Sequence, residues 1–238
     1  MDEMTGVSGV ARELARERLA LALDTDDLPG AVAIARRLQP WFGVAKVGLQ
    51  LYTAAGPNAC RALADEGLAV FLDLKLHDIP TTVGAAAAAA NVAGATYLTT
   101  HVAGGEAGLR AVVSAFGEGA GSGGVFGVTV LTSQTDAPPE LVGARAALAA
   151  AAGCVGFVCA ATDLQTAVSS APKLLAVVPG IRLAGSDVND QRRVGTPFEA
   201  IAGGAGLLVL GRTVTHAADP EAAAEAVTDE VVRALNCQ

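Results

Sequence analysis

Asp73, Lys75 and Asp78 form the pattern D-x-K-x-x-D inside the stretch Phe71-Leu72-Asp73-Leu74-Lys75-Leu76-His77-Asp78-Ile79-Pro80-Thr81-Thr82. An ammonium set between carboxylates can stabilise negative charge developing on a neighbouring carbon and then deliver a proton to it. The surrounding alternation reads as a strand from Val70 to Leu76, broken at His77-Asp78 and continuing through Pro80 into an alanine-rich helix. Residues two apart in a strand share a face, so Phe71, Asp73 and Lys75 point one way and Leu72, Leu74 and Leu76 the other. Buried ion pairs seldom improve on apolar packing. Taken alone, the pattern also fits a structural ion pair with Asp78 as a helix N-cap. Lysine usage favours chemistry: Lys46, Lys75 and Lys173 are the only lysines, every other basic residue is arginine, and two of the three fall at strand ends. An ammonium can give up a proton, whereas a guanidinium does not deprotonate in proteins.

The elements that must position these groups alternate along the chain. Strands are expected at Leu19–Leu23, Phe42–Gly48, Val70–Leu76, Thr96–Thr100, Val125–Leu131, Val155–Cys159, Leu174–Val178 and Leu207–Leu210. Helices are expected at Asp26–Leu38, Pro57–Glu66, Thr81–Ala93, Gly105–Phe116, Pro139–Ala151, from Thr162, and at Pro220–Leu235. The strands are continuous apolar runs, as when both sheet faces are covered. The expected fold is a single-domain α/β (β/α)8 TIM barrel over residues 17–238, preceded by a loose tail or short helix over 1–16. A doubly wound open sheet is the alternative, but the first turn lacks a G-x-G-x-x-G fingerprint.

A chain of 238 residues with net charge −8 and pI near 4.8 argues against nucleic acid or an anionic membrane as a general partner. The mean hydropathy of +0.44 comes from alanine and valine, and no apolar run is long enough to suggest a transmembrane helix. The acidic start has neither a basic nor an apolar signal region, so a cytoplasmic location is expected. Cys60, Cys154, Cys159 and Cys237 show no metal spacing and read as buried thiols in a reducing compartment, with no metal site expected.

In such barrels chemistry gathers at the C-terminal strand ends. Those ends offer Asp24, Lys46, the Asp73/Lys75/Asp78 group, Thr132-Ser133, Pro179 with Arg182, and Gly211-Arg212. Arg212 follows the eighth strand, where a phosphate commonly binds and a guanidinium fork suits a dianion. A surface salt bridge is the other reading of Arg212. The polar loop from Arg182 to Arg193 has the length of a lid, and Gln191 could close over a ligand or remain solvated.

The motifs LALD (Leu21–Asp24), KVGLQLY (Lys46–Tyr52), FLDLKLHDIPTT, VTVLTS (Val128–Ser133), VVPGIR (Val177–Arg182), DQRRVGTP (Asp190–Pro197) and LGRTVT (Leu210–Thr215) occur in this order. Together they resemble the orotidine 5'-phosphate decarboxylase family over nearly the whole chain from Leu19. The resemblance is weakest over Ala137–Ala171. It implies a homodimeric barrel that converts orotidine 5'-phosphate to UMP, the last step of de novo UMP synthesis, with no metal or organic cofactor. It further implies that Asp24 binds the ribose, with Lys46 near the ribose hydroxyls and Asp73, and that Lys75 donates the proton. Asp78 and Thr82 would enter the neighbouring subunit's site. Thr132 would lie by the pyrimidine, and Arg182, Gln191, Gly211 and Arg212 would hold the phosphate. His77 and His101 sit in similar contexts but receive no chemical role.

Two rivals remain in view. Metal-dependent sugar-phosphate enzymes of the same superfamily share D-x-K-x-x-D but typically carry a glutamate where this chain has Lys46, whose charge would repel Mg2+. A catalytically silent nucleotide-binding or scaffold protein on this fold is expected to lack Lys75 or Asp78, and both are present.

Overall fold

The computed structural model describes residues 2–117, 119, 123–134, 137–183 and 195–237, with side chains from residue 9 onward. Eight strands are all parallel: β1 (Leu19–Ala22), β2 (Val44–Gly48), β3 (Ala69–Leu76), β4 (Tyr97–His101), β5 (Gly124–Val128), β6 (Gly156–Val158), β7 (Leu175–Pro179) and β8 (Leu207–Leu210). They pair in sequence order and close into a barrel through β1 and β8, in the register Leu19↔Leu208, Ala20↔Val209 and Leu21↔Leu210. Around them run α1 (Asp2–Glu17), α2 (Leu28–Leu38), α3 (Leu49–Ala55), α4 (Pro57–Asp65), α5 (Pro80–Val92) and α6 (Gly105–Phe116). The ring continues with α7 (Pro139–Ala151), α8 (Leu164–Ser170), α9 (Pro197–Ala202), α10 (Arg212–Thr215) and α11 (Pro220–Leu235).

Local chemistry explains the helix starts. Proline opens α4, α5, α7, α9 and α11, where its missing N–H would be unpaired anyway. Thr196 and Glu199 form a capping box before α9, and Asp219 accepts from the backbone of Glu221 and Ala222 before α11.

Two apolar layers follow from the period-2 alternation. One set of strand residues (Leu19, Leu21, Val70, Leu72, Leu98, Val178, Leu208, Leu210) packs outward against the helices. The other set (Ala20, Ala22, Val44, Phe71, Phe126, Val128, Val158, Val177, Leu207, Val209) fills the interior. There Phe126 meets Phe71 edge-on at 5.3 Å and stacks on Tyr97 at 4.7 Å between ring centroids. These rings fill the middle of the barrel. A separate pocket lined by Glu13, Arg16, Glu17 and Arg18 lies below them at the N-terminal ends of the strands, and the cleft at the C-terminal ends lies above them.

Several elements differ from the sequence expectation. The loop after β2 contains an extra helix, α3, ahead of α4. The fifth strand ends at Val128, leaving Thr132 and Ser133 in a turn beyond it. Two short helices, α9 and α10, flank β8. Residues 2–17 form one continuous helix that docks on α11, with Ala15 fully buried and Arg12 bonded to Glu225 and Asp229. Trp41 Nε1 donates to the same Glu225 at 2.6 Å.

Three cysteines are buried, and desolvation raises their thiols, Cys60 to about 11 and Cys154 and Cys159 to about 12. Cys237 departs from the expectation of a buried thiol: it lies beyond the end of α11 and is exposed. No helix among the described residues is long and apolar enough to cross a membrane.

Candidate active site

The inward register that fills the barrel lower down becomes polar at the C-terminal ends of the strands. Ala20 and Ala22 lead to Asp24, Val44 leads to Lys46 and Gly48, Phe71 leads to Asp73, Tyr97 leads to Thr99, and Leu207 and Val209 lead to Gly211. The result is a cleft of about 240 Å3 lined by Asp24, Lys46, Asp73, Lys75, Thr132, Arg182, Gly211 and Arg212, among others. Eight of the residues singled out in the sequence thus share one cavity, although they come from six separate stretches of chain.

Asp73 is the hub. Its Oδ2 lies 2.7 Å from Lys75 Nζ and 3.8 Å from Lys46 Nζ. Lys46 also donates to Asp24 Oδ1 at 3.0 Å. Acid and amine therefore alternate across the floor: Asp24, Lys46, Asp73, Lys75. The Asp73 side chain is only 12 % exposed and that of Lys46 only 10 %. Burial acts to raise the Asp73 pKa, but the Lys75 and Lys46 charges and the hydrogen bonds from Lys75 and Thr99 outweigh it, so the carboxyl is held below its usual range. Gly48 leaves room for this arrangement, since a Cβ there would come within 2.9 Å of Asp24 Oδ1 and 3.0 Å of Lys46 Nζ.

Lys75 does not continue a regular strand. β3 and β4 pair at Leu72↔Leu98 and next at Leu76↔Thr100, so β3 carries extra residues in a bulge. Within it Lys75 adopts φ 52°, the only positive φ of a non-glycine among the described residues. Its N–H donates to Thr99 Oγ1 at 2.9 Å, and that hydroxyl donates to Asp73 Oδ1, also at 2.9 Å. The expectation that Asp73 and Lys75 face the same cleft therefore holds through a bulge and not through simple alternation.

At the opposite wall Arg182 Nη1 donates to Thr213 Oγ1 at 2.8 Å, and Thr213 in turn donates to the carbonyl of Ile181 at 3.1 Å. Arg182 Nε is buried with no hydrogen-bond partner among the described residues. A buried guanidinium donor left open beside a cleft suits an anionic oxygen. Arg212, opening α10, lines the same wall. Gln191 lies outside the described residues.

Asp78 and Thr82 stay out of this cleft. Both are exposed, and Asp78 Oδ1 accepts from Ile79 N at 2.7 Å. The N-cap of α5 is Ile79, without a side-chain cap bond. Next to them Ile79 is 65 % exposed, and Leu49, after the neighbouring β2, is 59 % exposed. His77 and His101 meet with ring centroids 5.2 Å apart. Burial, then the nearby His77, Lys75 and Arg145, lowers the His101 pKa against a small opposing effect of Asp73.

Thr99 and Thr213 were not foreseen. Thr99 had one legible signal, its inward register on β4 at the level of Asp73. Thr213 had none, because its role depends on the short helix α10.

Comparison with known proteins follows the same outline. A model of the orotidine 5'-phosphate decarboxylase / HUMPS family matches residues 17–227. The chain is 46% identical over 224 residues to orotidine 5'-phosphate decarboxylase from Anaeromyxobacter sp. (strain K), covering 89% of this chain and 96% of that protein. It is 41% identical over 234 residues to the Moorella thermoacetica protein of the same name, covering 91% and 93%. Among solved structures, orotidine 5'-phosphate decarboxylase from Lactobacillus acidophilus superimposes with a TM-score of 0.76 at 32% identity, covering 90% of this chain and 99% of that one. An uncharacterized conserved protein from Geobacillus kaustophilus gives 0.74 at 31% identity, with the same coverage. With its barrel, its cleft and these relatives in agreement, the chain belongs to the orotidine 5'-phosphate decarboxylase / HUMPS family.

Proposed function

We propose that this chain decarboxylates orotidine 5'-phosphate to UMP as a carboxy-lyase, using its own side chains with neither metal nor organic cofactor. The observation that carries the proposal is the Asp24–Lys46–Asp73–Lys75 array, with Lys75 Nζ 2.7 Å from Asp73, opposite two arginines in one cleft.

Loss of CO2 from the pyrimidine leaves an electron pair on C6 in the plane of the ring, where the π system does not absorb it. The protein must supply the stabilisation electrostatically. Lys75, bonded to Asp73, places a fixed positive charge where that electron pair forms, at no cost in reorganisation during reaction. It then delivers its proton to C6, giving UMP. Asp73 also stands next to the position of the departing carboxylate and disfavours the anionic ground state more than the CO2-like transition state, a contribution we place second to preorganisation. Asp24 and Lys46 bind the ribose hydroxyls, and Thr132 contacts the pyrimidine. Arg182, Gln191, Gly211 and Arg212 hold the phosphate, so that binding energy remote from C6 is expressed in the rate.

The active form is proposed to be a homodimer in which Asp78 and Thr82 complete the neighbouring site and Asp78 flanks Lys75. Their exposure outside their own cleft supports this, as does the apolar Ile79 and Leu49 surface at the same rim. The pool of nucleotide in a reducing cytoplasm is the proposed setting.

The direct test follows the ultraviolet absorbance of orotidine 5'-phosphate with and without protein. Turnover that persists in EDTA is expected. A rate no greater than the buffer blank, or one that a chelator abolishes, would refute the proposal.

A further inference from the structure

We propose that Thr99 is a positioning residue for this site, its hydroxyl fixing the bulged backbone at Lys75 and the Asp73 carboxylate in one geometry that aims the ammonium. The inference rests on the reading of Lys75 as proton donor.

The bonds close a ring. Lys75 N–H donates to Thr99 Oγ1 at 2.9 Å, Thr99 donates to Asp73 Oδ1 at 2.9 Å, and Asp73 Oδ2 accepts from Lys75 Nζ at 2.7 Å. Both ends of one lysine are thereby tied through a single hydroxyl. A hydroxyl suits the task because it has one proton to give the carboxylate and lone pairs free for the backbone donor.

The need for such a tie follows from the local backbone. Across the bulge, β4 advances by two residues while β3 advances from Leu72 to Leu76, so Lys75 is off the ladder and takes its bond from a side chain. A lysine at φ 52° is in the left-handed region, and such a conformation persists only where its surroundings over-determine it. The unfavourable conformation and one net hydrogen bond are of similar size, so removal of the hydroxyl is enough to release the turn. Thr99 is 0% exposed, so water does not readily take its place. The strain at Lys75 and the burial of Thr99 are one device: the bulge swings the amine into the cleft, and the hydroxyl holds it there.

The test compares Thr99→Val, which keeps the shape and loses the hydroxyl, with Thr99→Ser, which restores it. We measure kcat and KM for orotidine 5'-phosphate and the Kd of UMP, with Lys75→Ala alongside. Thr99→Val is expected to lower kcat ten- to a hundredfold, roughly one to two decades of rate, with KM and UMP affinity changed less than threefold. Thr99→Ser is expected to return kcat to within threefold of the parent. A folded Thr99→Val with parental kcat overturns the inference, as does an equal loss in Thr99→Ser or a parallel loss of UMP affinity. If Thr99→Val does not fold, Thr99→Cys takes its place, a thiol being a weak donor and acceptor. If the parent does not turn over orotidine 5'-phosphate, or Lys75→Ala does so normally, the functional reading fails separately. A crystal structure of the Thr99 variant then decides the positioning: the Lys75–Asp73 contact is expected to be lost, and an unchanged backbone at Lys75 overturns the inference.

Discussion

Replacing Asp73 with asparagine keeps the size of the side chain and its capacity to accept from Thr99, but removes the charge shared by two lysines. The structure sets the scale. At an effective dielectric constant of about 20, a unit charge at 2.7 Å is worth about 6 kcal/mol to Lys75, and one at 3.8 Å about 4 kcal/mol to Lys46. Much of this gross attraction offsets the cost of burying the carboxylate, and removal of one partner from such a pair typically loses about 3–5 kcal/mol. Lys46 retains Asp24 at 3.0 Å, so the loss falls mainly on Lys75. If the whole amount is felt in the transition state, kcat for decarboxylation falls by roughly 10²–10⁴. Absorbance assays at saturating substrate give kcat, and an initial-rate series gives KM. The same variant has a stability signature. The folded-state pKa of Asp73 is depressed, so its contribution is present in full above about pH 4 and is lost as pH falls through the lower folded value. The thermal-stability gap between parent and Asp73→Asn should therefore narrow on acidification below pH of about 4. A variant with kcat within threefold of the parent, or a gap that widens in acid, would refute the electrostatic reasoning.

Other outcomes follow from the same geometry. Lys75→Ala and Asp78→Ala should each be inactive yet folded, while mixed subunits should recover about one quarter of parental activity, because random pairing makes half the dimers mixed and each mixed dimer holds one intact site. No recovery after co-refolding would rule out the shared site. Arg212→Ala should lower kcat/KM for orotidine 5'-phosphate by about 10–150-fold, the loss of a charge-assisted contact, while turnover of orotidine, which lacks the phosphate, stays near parental. Equal losses on both substrates would place Arg212 elsewhere. The depressed His101 pKa means that the unfolded chain takes up a proton the folded chain resists, so stability should fall as pH drops below about 6.5. Calorimetry of His101→Gln should show a shallower fall over that range, and an unchanged slope would contradict the assignment.

Much of this architecture is legible in the residues. Continuous apolar strands spaced by helices specify the closed parallel barrel, and β8 and α6, α7 and α11 appear at the expected bounds because proline, glycine and apolar runs mark them without ambiguity. Lysine scarcity directs attention to Lys46 and Lys75, and both face the cleft. Period-2 reasoning fails at Lys75 because a bulge costs no distinctive residue, so alternation looks unbroken while the backbone turns. Thr99 is hidden for a related reason: threonine is a common strand residue, and its partners lie across the sheet. The extra helix α3 is obscured by Leu49–Ala55 running directly on from a buried strand with no polar punctuation. Spacing alone does not say which way Asp78 points; the turn at Asp78-Ile79 carries it out to the rim, away from its own Lys75.

Among the described strands, the join between the first and last staves is the only one in the hoop not followed by a direct chain connection. There it depends on the pairs Leu19↔Leu208, Ala20↔Val209 and Leu21↔Leu210 and on the Leu208 N–H bond to the Arg18 carbonyl. The leading helix docks on α11 next to this join, held through Arg12 and buried at Ala15. Trimming that helix would leave the catalytic residues untouched and still loosen the cylinder that spaces Asp24 from Gly211 across the same join, so a segment remote from the chemistry sets how firmly its two halves are registered.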